Sequence, residues 1–148
     1  MAKTQGAIVV TAKKFLQQFF LLQCSVNIRL EQIERLQSVA TQTTRVMQGV
    51  ITGNSNAGSR VESSVVAIQS EVDRLASDMV HMIDLRNEIA ESIANVANPQ
   101  ERNLLELRYL CLYSWRKIAQ IMLFSSQHVF RLHQRALNNF SLPAKVES

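Results

Sequence analysis

Polar, basic and aromatic side chains recur at helical spacing near the C-terminal end of the chain, where they could contact nucleic acid. Five of them fall on one face of a predicted helix and could reach base edges: Ser126, Gln127, Phe130, Arg131 and Gln134. Arginine can pair with guanine, glutamine can pair with adenine, and an aromatic ring can contact the methyl group of thymine. Three further residues are predicted phosphate contacts: Arg116, Lys117 and Arg135. Side chains of these types contact bases and phosphates in protein–DNA complexes, so this segment is a candidate nucleic-acid-binding site.

The positive charge of the chain is concentrated in the same segment. The net charge is +4 over 148 residues; residues 1–97 are neutral overall, and residues 98–148 hold seven basic and three acidic side chains. From Leu107 to Val146 there is no acidic residue. Such an asymmetry is the electrostatic footprint of a nucleic-acid-binding end. A solvated basic face is the alternative that charge alone leaves open.

Other kinds of site lack their residue patterns. Cys24 and Cys111 are 87 positions apart, which argues against a disulfide framework or a thiolate metal site and suits a reducing cytoplasm. His128 and His133 are five residues apart, whereas two helical ligands of one metal need a spacing of four. Gly-rich phosphate loops, GxSxG and HExxH motifs do not occur in the sequence. We therefore expect no enzyme, no cofactor, no metal and no small-molecule substrate.

The most apolar stretch of the sequence does not predict a membrane span or an export signal. Residues 15–24 are interrupted by three glutamines and fall far short of the roughly 20 apolar residues that a spanning helix needs. The basic pair Lys13-Lys14 precedes this stretch, but no small-residue cleavage site follows it. We expect a cytoplasmic protein without membrane contact.

Two long heptad patterns precede the basic segment, each with steps of alternately four and three residues. The first series is Phe15, Phe19, Leu22, Val26, Arg29, Ile33, Leu36, Ala40, Thr43 and Met47. The second series is Val65, Ile68, Val72, Leu75, Met79, Met82, Arg86, Ile89, Ile93 and Val96. Such a repeat keeps one seam against a partner helix. Glycines lie between the two series, so the pattern predicts an antiparallel, coiled-coil-like hairpin with helices at about 12–48 and 60–97 and a loop at 49–59.

An arginine interrupts each seam, Arg29 in the first and Arg86 in the second. Each could extend out of the seam along its aliphatic stem or act as a polar key that fixes the register of the helices. Five apolar residues beside the seams widen the apolar stripe beyond what one partner helix covers. They are Leu16, Phe20, Leu21, Ile83 and Ala90. We therefore expect a homodimer.

Capping signals predict the starts of the second long helix and of three short ones. Ser59 with Glu62 and Asn98 with Glu101 have the spacing of capping boxes, in which two side chains satisfy free amides at a helix start. Ser114 and Ser125 are predicted N-caps of helices at 115–122 and from 125 to about 140. The last helix is the one that carries the predicted base contacts.

The spacing after Trp115, itself a predicted packing residue, is that of a helix-turn-helix. Residue types suited to two steeply crossing helices occur at Ile118, Ala119, Met122, Phe124, Val129 and Leu132. Leu123 occupies a turn position often held by glycine, because the backbone there adopts positive φ. An ordinary helical hairpin is the alternative.

Residues 98–109, 115–122 and 125–137 resemble region 4 of the sigma-70 family, which recognises the −35 promoter element. A closer similarity is to a family of small phage and prophage proteins of Gram-positive bacteria with a sigma-like C-terminus, which resemble phage late-transcription regulators. Residues 11–16, Ala40-Thr41 and the loop after Gly49 match that family, so the resemblance covers about residues 10–140 and leaves out residues 1–9. It implies a DNA-binding helix-turn-helix at 98–142 in which the matching positions of the last helix enter the major groove of double-stranded DNA. With the hairpin that the heptad patterns predict at 10–97, the expected protein is all-α.

The resemblance implies a phage-encoded, sequence-specific transcription regulator that acts with host RNA polymerase in the bacterial cytoplasm. One alternative is an assembly protein of the small-terminase type, which joins the same two parts but usually in the reverse order; the neighbouring genes would distinguish it. A second alternative is a module that binds polymerase without touching DNA. Phe130 on the recognition face suits that alternative.

Overall fold

The computed structural model describes residues 2–49 and 55–144, and its regular elements are all helical. Two long helices come first, α1 (Ala2–Gly49) and α2 (Ser55–Ala94). α3 (Pro99–Leu105) continues directly into a π-helical turn, Glu106–Leu110. α4 (Trp115–Met122) and α5 (Ser126–Asn139) follow. The predicted all-α class is confirmed. Within the described ranges no helix has both the length and the apolar character needed to cross a membrane.

Both long helices begin earlier than the sequence predicts. α1 starts at Ala2 rather than near residue 12, and α2 starts at Ser55 rather than near residue 60. Ser59 therefore lies inside α2, and its predicted role as an N-cap is wrong. A helix can include one glycine such as Gly58 at a cost of about 1 kcal/mol. The centre of the predicted loop, residues 50–54, lies outside the described residues.

Contacts divide the chain into two compact units. Unit 1 comprises Met1–Leu21 with Met82–Ser148, and unit 2 comprises Leu22–His81. The division differs from the predicted boundary between residues 97 and 98. The first turns of α1 and the last turns of α2 group with the short C-terminal helices instead.

The predicted seam of α1 is covered wherever its side chains are described. Phe15, Phe19, Val26 and Ile33 are buried, and Leu22, Arg29, Leu36 and Ala40 are half-buried. Thr43 and Met47 lie outside the described side chains. The heptad pattern therefore identifies the covered face of this helix.

The covered face of α2 is rotated relative to the predicted seam. Six predicted positions are covered: Ile68, Leu75, Met82, Ile89, Ile93 and, just after the helix ends, Val96. Four others are exposed, and their assignment to the seam is wrong: Val65, Val72, Met79 and Arg86. The preceding residue is the covered one in each case: Ser64, Glu71, Asp78 and Leu85. The covered positions still alternate by three and four, so the heptad is kept in a different register.

Arg29 explains this rotation within unit 2. Its Nε donates to Asp78 Oδ2 at 2.6 Å, and its Nη1 donates to Glu71 Oε2 at 3.3 Å. Turning Val72 and Met79 inward instead would carry both carboxylates away from the guanidinium. The hydrogen bond to Asp78 and the nearby negative charges raise the pKa of Arg29 above its ordinary value. Arg29 is thus a polar key between the helices, whereas Arg86 is exposed and outside the seam.

The five residues expected to widen the apolar stripe have different environments. Leu16 is completely buried and Ala90 is half-buried, while Phe20, Leu21 and Ile83 are exposed. Leu16 is therefore a core residue of unit 1.

Candidate nucleic-acid interface

Serine caps position the two helices that carry the candidate site. Ser114 Oγ accepts a hydrogen bond from the backbone N–H of Lys117 at 3.2 Å, and Ser125 Oγ accepts one from His128 at 3.2 Å. Each bond satisfies an amide that has no partner within the helix. The predicted caps and the predicted bounds of α4 and α5 are confirmed.

The turn between these helices keeps a left-handed residue although that residue is leucine. Leu123 has φ 58° and ψ 39°, and the residue is 89% exposed. The next residue, Phe124, donates its N–H to the carbonyl of Ala119 at 3.1 Å. A leucine in this conformation costs about 1–2 kcal/mol relative to the right-handed region. The sequence left the geometry of this turn open, and the structure shows the left-handed form.

The six positions with the predicted packing pattern are all covered. Ile118, Val129 and Leu132 are buried, and Ala119, Met122 and Phe124 are half-buried. α5 packs against both α3 and α4. The spacing from Ile118 to Leu132 therefore identifies the covered side chains of this helix pair and its turn.

All eight predicted DNA contacts are exposed. Ser126, Gln127, Phe130 and Arg131 line one shallow depression on α5. Phe130 and Arg131 also line a second depression, together with His128, Gln134 and Arg135. The structure therefore brings the five base-contact candidates and Arg135 together along one helix. Arg116 and Lys117 lie in the first turn of α4 and line neither depression.

An aromatic cluster supports this exposed face from behind. The Trp115 ring lies 4.6 Å from the His133 ring, edge-on, and 6.2 Å from the Phe130 ring. The guanidinium carbon of Arg108 lies 4.4 Å from the Trp115 ring centroid, a cation–π contact. Trp115 is therefore a packing residue between the core and Phe130, in line with its predicted role.

A buried polar pair that the sequence analysis missed lies next to this cluster. Tyr109 Oη and His133 Nε2 are 2.7 Å apart, and both residues are buried. Burial, followed by the charges of Lys13 and Arg108, lowers the pKa of His133 to about 4. Burial raises the pKa of Tyr109 to about 12. At neutral pH both side chains are therefore uncharged, and one hydrogen bond joins the tyrosine hydroxyl to the imidazole.

One sequence signal could have revealed that pair. His133 lies among the apolar positions of α5, beside Leu132 and Ala136. A histidine on a buried face needs a hydrogen-bond partner. The partner, Tyr109, is 24 residues away in the sequence, so local spacing could not identify it.

Glu101 acts differently from the capping-box prediction. Asn98 Oδ1 accepts from the backbone N–H groups of Gln100 and Glu101 at 2.9 and 3.3 Å, as a cap should. The Glu101 carboxylate is buried and accepts from Asn139 Nδ2, with both oxygens at 3.2 Å. This contact ties α3 to the end of α5. It also removes a negative charge from the surface of the basic segment.

No cluster of three or more His, Cys, Asp or Glu side chains suited to a metal ion occurs in residues 2–49 and 55–144. No protein-family model matches the chain. No curated protein and no solved structure matches it either.

Proposed function

We propose that this chain is a phage-encoded, sequence-specific DNA-binding transcription regulator that acts with host RNA polymerase. In this proposal α4, the turn at Leu123 and α5 form a helix-turn-helix that resembles sigma-70 region 4. One observation carries the proposal: the candidate base contacts are exposed side by side along α5, while the residues that must pack behind them are covered.

In the proposed complex, α5 lies in the major groove with its N-terminal turns against the bases. Arg131 pairs with the O6 and N7 atoms of a guanine, and Gln127 pairs with an adenine. Arg116, Lys117 and Arg135 contact phosphates and set the position of the helix on the duplex. The acid-free stretch from Leu107 to Val146 attracts DNA before specific contacts form.

The long helices are proposed to form an antiparallel hairpin. The ion pairs of Arg29 with Glu71 and Asp78 join α1 to α2 within unit 2. The start of α1 groups with the end of α2 in unit 1, as antiparallel helices require. In the proposed regulator this hairpin supports assembly or contact with polymerase.

Two substitutions distinguish base recognition from phosphate contact. Arg131→Ala should weaken binding to a selected DNA site by about 1–3 kcal/mol and relax the preference at one base pair. Lys117→Ala should weaken binding to all sequences alike and lower the salt slope by about one. Binding is measured on a site obtained by selection from random DNA and on its scrambled version, at two salt concentrations.

Asn138→Ala is the matched control, because Asn138 is exposed on α5 outside the proposed contact set, and it should bind like the parent. Equal losses for Arg131→Ala on both DNAs would make Arg131 a phosphate contact. If neither variant changes DNA binding, the proposed DNA interface is wrong.

Phe130 favours a second candidate function, a module that binds polymerase without DNA. This apolar residue is 58% exposed, and its ring lies beside that of Trp115. Exposed aromatic side chains are frequent anchors of protein interfaces. A pulldown of host RNA polymerase with and without promoter DNA separates the two functions: capture that needs no DNA and is lost in Phe130→Ala supports the second.

A further inference from the structure

Unit 2 exposes a row of large apolar side chains beside its covered seam. Leu30 on α1 is 44% exposed, and Val65, Val72 and Met79 on α2 are 57%, 39% and 43% exposed. The three residues on α2 recur at intervals of seven, so they lie along one side of that helix. We call these four residues the apolar strip.

Ion pairing places Leu30 on the same side as the residues of α2. Leu30 directly follows Arg29, while Val72 and Met79 directly follow Glu71 and Asp78, the two partners of Arg29. In the antiparallel pairing proposed above, the residue directly after a seam residue of α1 lies beside the residues directly after the facing seam residues of α2. Leu30 therefore lies level with the interval between Val72 and Met79.

The composition of this side is unusual for a helix pair that faces water. The corresponding positions on α1 are Gln23, Leu30 and Gln37, and those on α2 are Val65, Val72 and Met79. None of the six is charged, although these flanking positions carry Glu or Lys in most two-stranded coiled coils. An uncharged apolar strip at heptad spacing indicates a further layer of helices.

We propose that the apolar strip packs against the same strip of a second copy, which forms a four-helix bundle. A strip along an antiparallel helix pair has the same spacing in both directions, so it matches itself about a two-fold axis. Residues 22–81 hold five basic and six acidic side chains, a net charge of −1, so two copies repel each other little. Because the strip carries no charge, it is a poor surface for nucleic acid. The proposed dimer does not depend on the proposed DNA function.

The size of the strip sets the expected strength of the dimer. Fourteen residues of helix span about 21 Å, and two helices side by side are roughly 20 Å wide, which gives roughly 400 Å² per copy. The two copies together would bury roughly 800 Å² or somewhat more, below the 1,200–2,000 Å² that is typical of stable complexes. The dimer should therefore be weak and depend on concentration in the micromolar range.

Sedimentation velocity of the full-length chain, from low micromolar to several hundred micromolar, tests this proposal. Val72→Lys and Met79→Lys should each raise the dimer dissociation constant about tenfold or more, because each places a charge in the apolar contact. Val66→Lys and Val80→Lys are matched controls on the same helix: these valines are 67% and 62% exposed and lie outside the strip. They should leave the constant unchanged within about twofold.

Far-UV circular dichroism shows whether each variant keeps its helices, and Val72→Gln replaces Val72→Lys if the lysine variant unfolds. A chain that stays monomeric throughout the concentration range overturns the proposal and leaves the strip to a different protein. Equal weakening by the strip variants and the controls overturns it too, because association would then not depend on this side of unit 2.

Discussion

At the scale of single residues, the buried Tyr109–His133 pair should make the stability of unit 1 depend on pH. The pKa of His133 is about 4 in the folded chain, against 6.5 for an ordinary histidine. Between these values the unfolded chain binds a proton that the folded chain does not. The free energy of unfolding should therefore fall as the pH drops from 6.5 to 4, by at most about 3 kcal/mol, and this contribution should level off below pH 4.

Denaturant unfolding at pH 7, 5.5 and 4.5, followed by the fluorescence of Trp115, measures this loss. His133→Gln should have lower stability at pH 7 but a shallower decline toward pH 4.5, since glutamine takes up no proton. His81→Gln is the control, because His81 is exposed on α2, and it should decline like the parent. A decline in His133→Gln as steep as in the parent would show that another group is responsible.

Residue environments were predictable where a local pattern sets them. The exposure of Gln127, Arg131 and Gln134 follows from the period of α5 and the positions of its apolar residues. The roles of Glu101 and His133 do not, because their partners are Asn139 and Tyr109, 38 and 24 residues away. Such pairings arise from packing, which the sequence expresses only as buried polar groups that need a partner.

At the scale of elements, the ends of short helices were more predictable than the register of long ones. Ser114 and Ser125 mark the starts of α4 and α5 through hydrogen bonds within four residues. α2 offers both Glu71 and Val72, and both Asp78 and Met79, as seam positions one residue apart. Hydrophobicity favours Val72 and Met79 as the seam residues of α2. The guanidinium of Arg29 on α1 determines instead that Glu71 and Asp78 face the seam, and this is visible only when the two helices are paired.

Arg29 and Arg86 should therefore differ sharply when substituted. Arg29→Met keeps the apolar stem but leaves Glu71 and Asp78 facing the seam without their cation, so the thermal midpoint should fall by several degrees. Arg86→Met should change it little, because Arg86 is exposed. Thermal melting followed by circular dichroism at 222 nm measures both.

A rescue variant separates the charge effect from lost packing. Adding Glu71→Gln and Asp78→Asn to Arg29→Met removes the unpaired carboxylates and should restore part of the lost midpoint. Equal midpoints for Arg29→Met and Arg86→Met would contradict the role of Arg29 as a polar key.

At the scale of the whole molecule, unit 1 is assembled from both ends of the chain. The sequence predicted a C-terminal module bounded at residue 98, because the capping signal at Asn98 and the change in rhythm occur there. The structure groups the first turns of α1 with that segment. Phe15, a predicted seam residue, is 3% exposed and its ring lies 6.0 Å from that of Phe140. Local periodicity cannot reveal a contact between two residues that are 125 positions apart in the sequence.

Phe15 should consequently control the stability of helices that are distant from it in sequence. Phe15→Ala should lower the free energy of unfolding of unit 1 by about 3–5 kcal/mol, because it opens a cavity between α1 and the segment after α5. Trp115 is the only tryptophan of the chain, so its emission reports on α4 rather than on α1 itself. The exposed Phe20, on the same helix, provides the control Phe20→Ala, which should unfold close to the parent midpoint in urea. If the Trp115 transition of Phe15→Ala coincides with that of the parent, α4 and α5 are stable without α1, and the segment from Asn98 onward is an independent module as the sequence predicted.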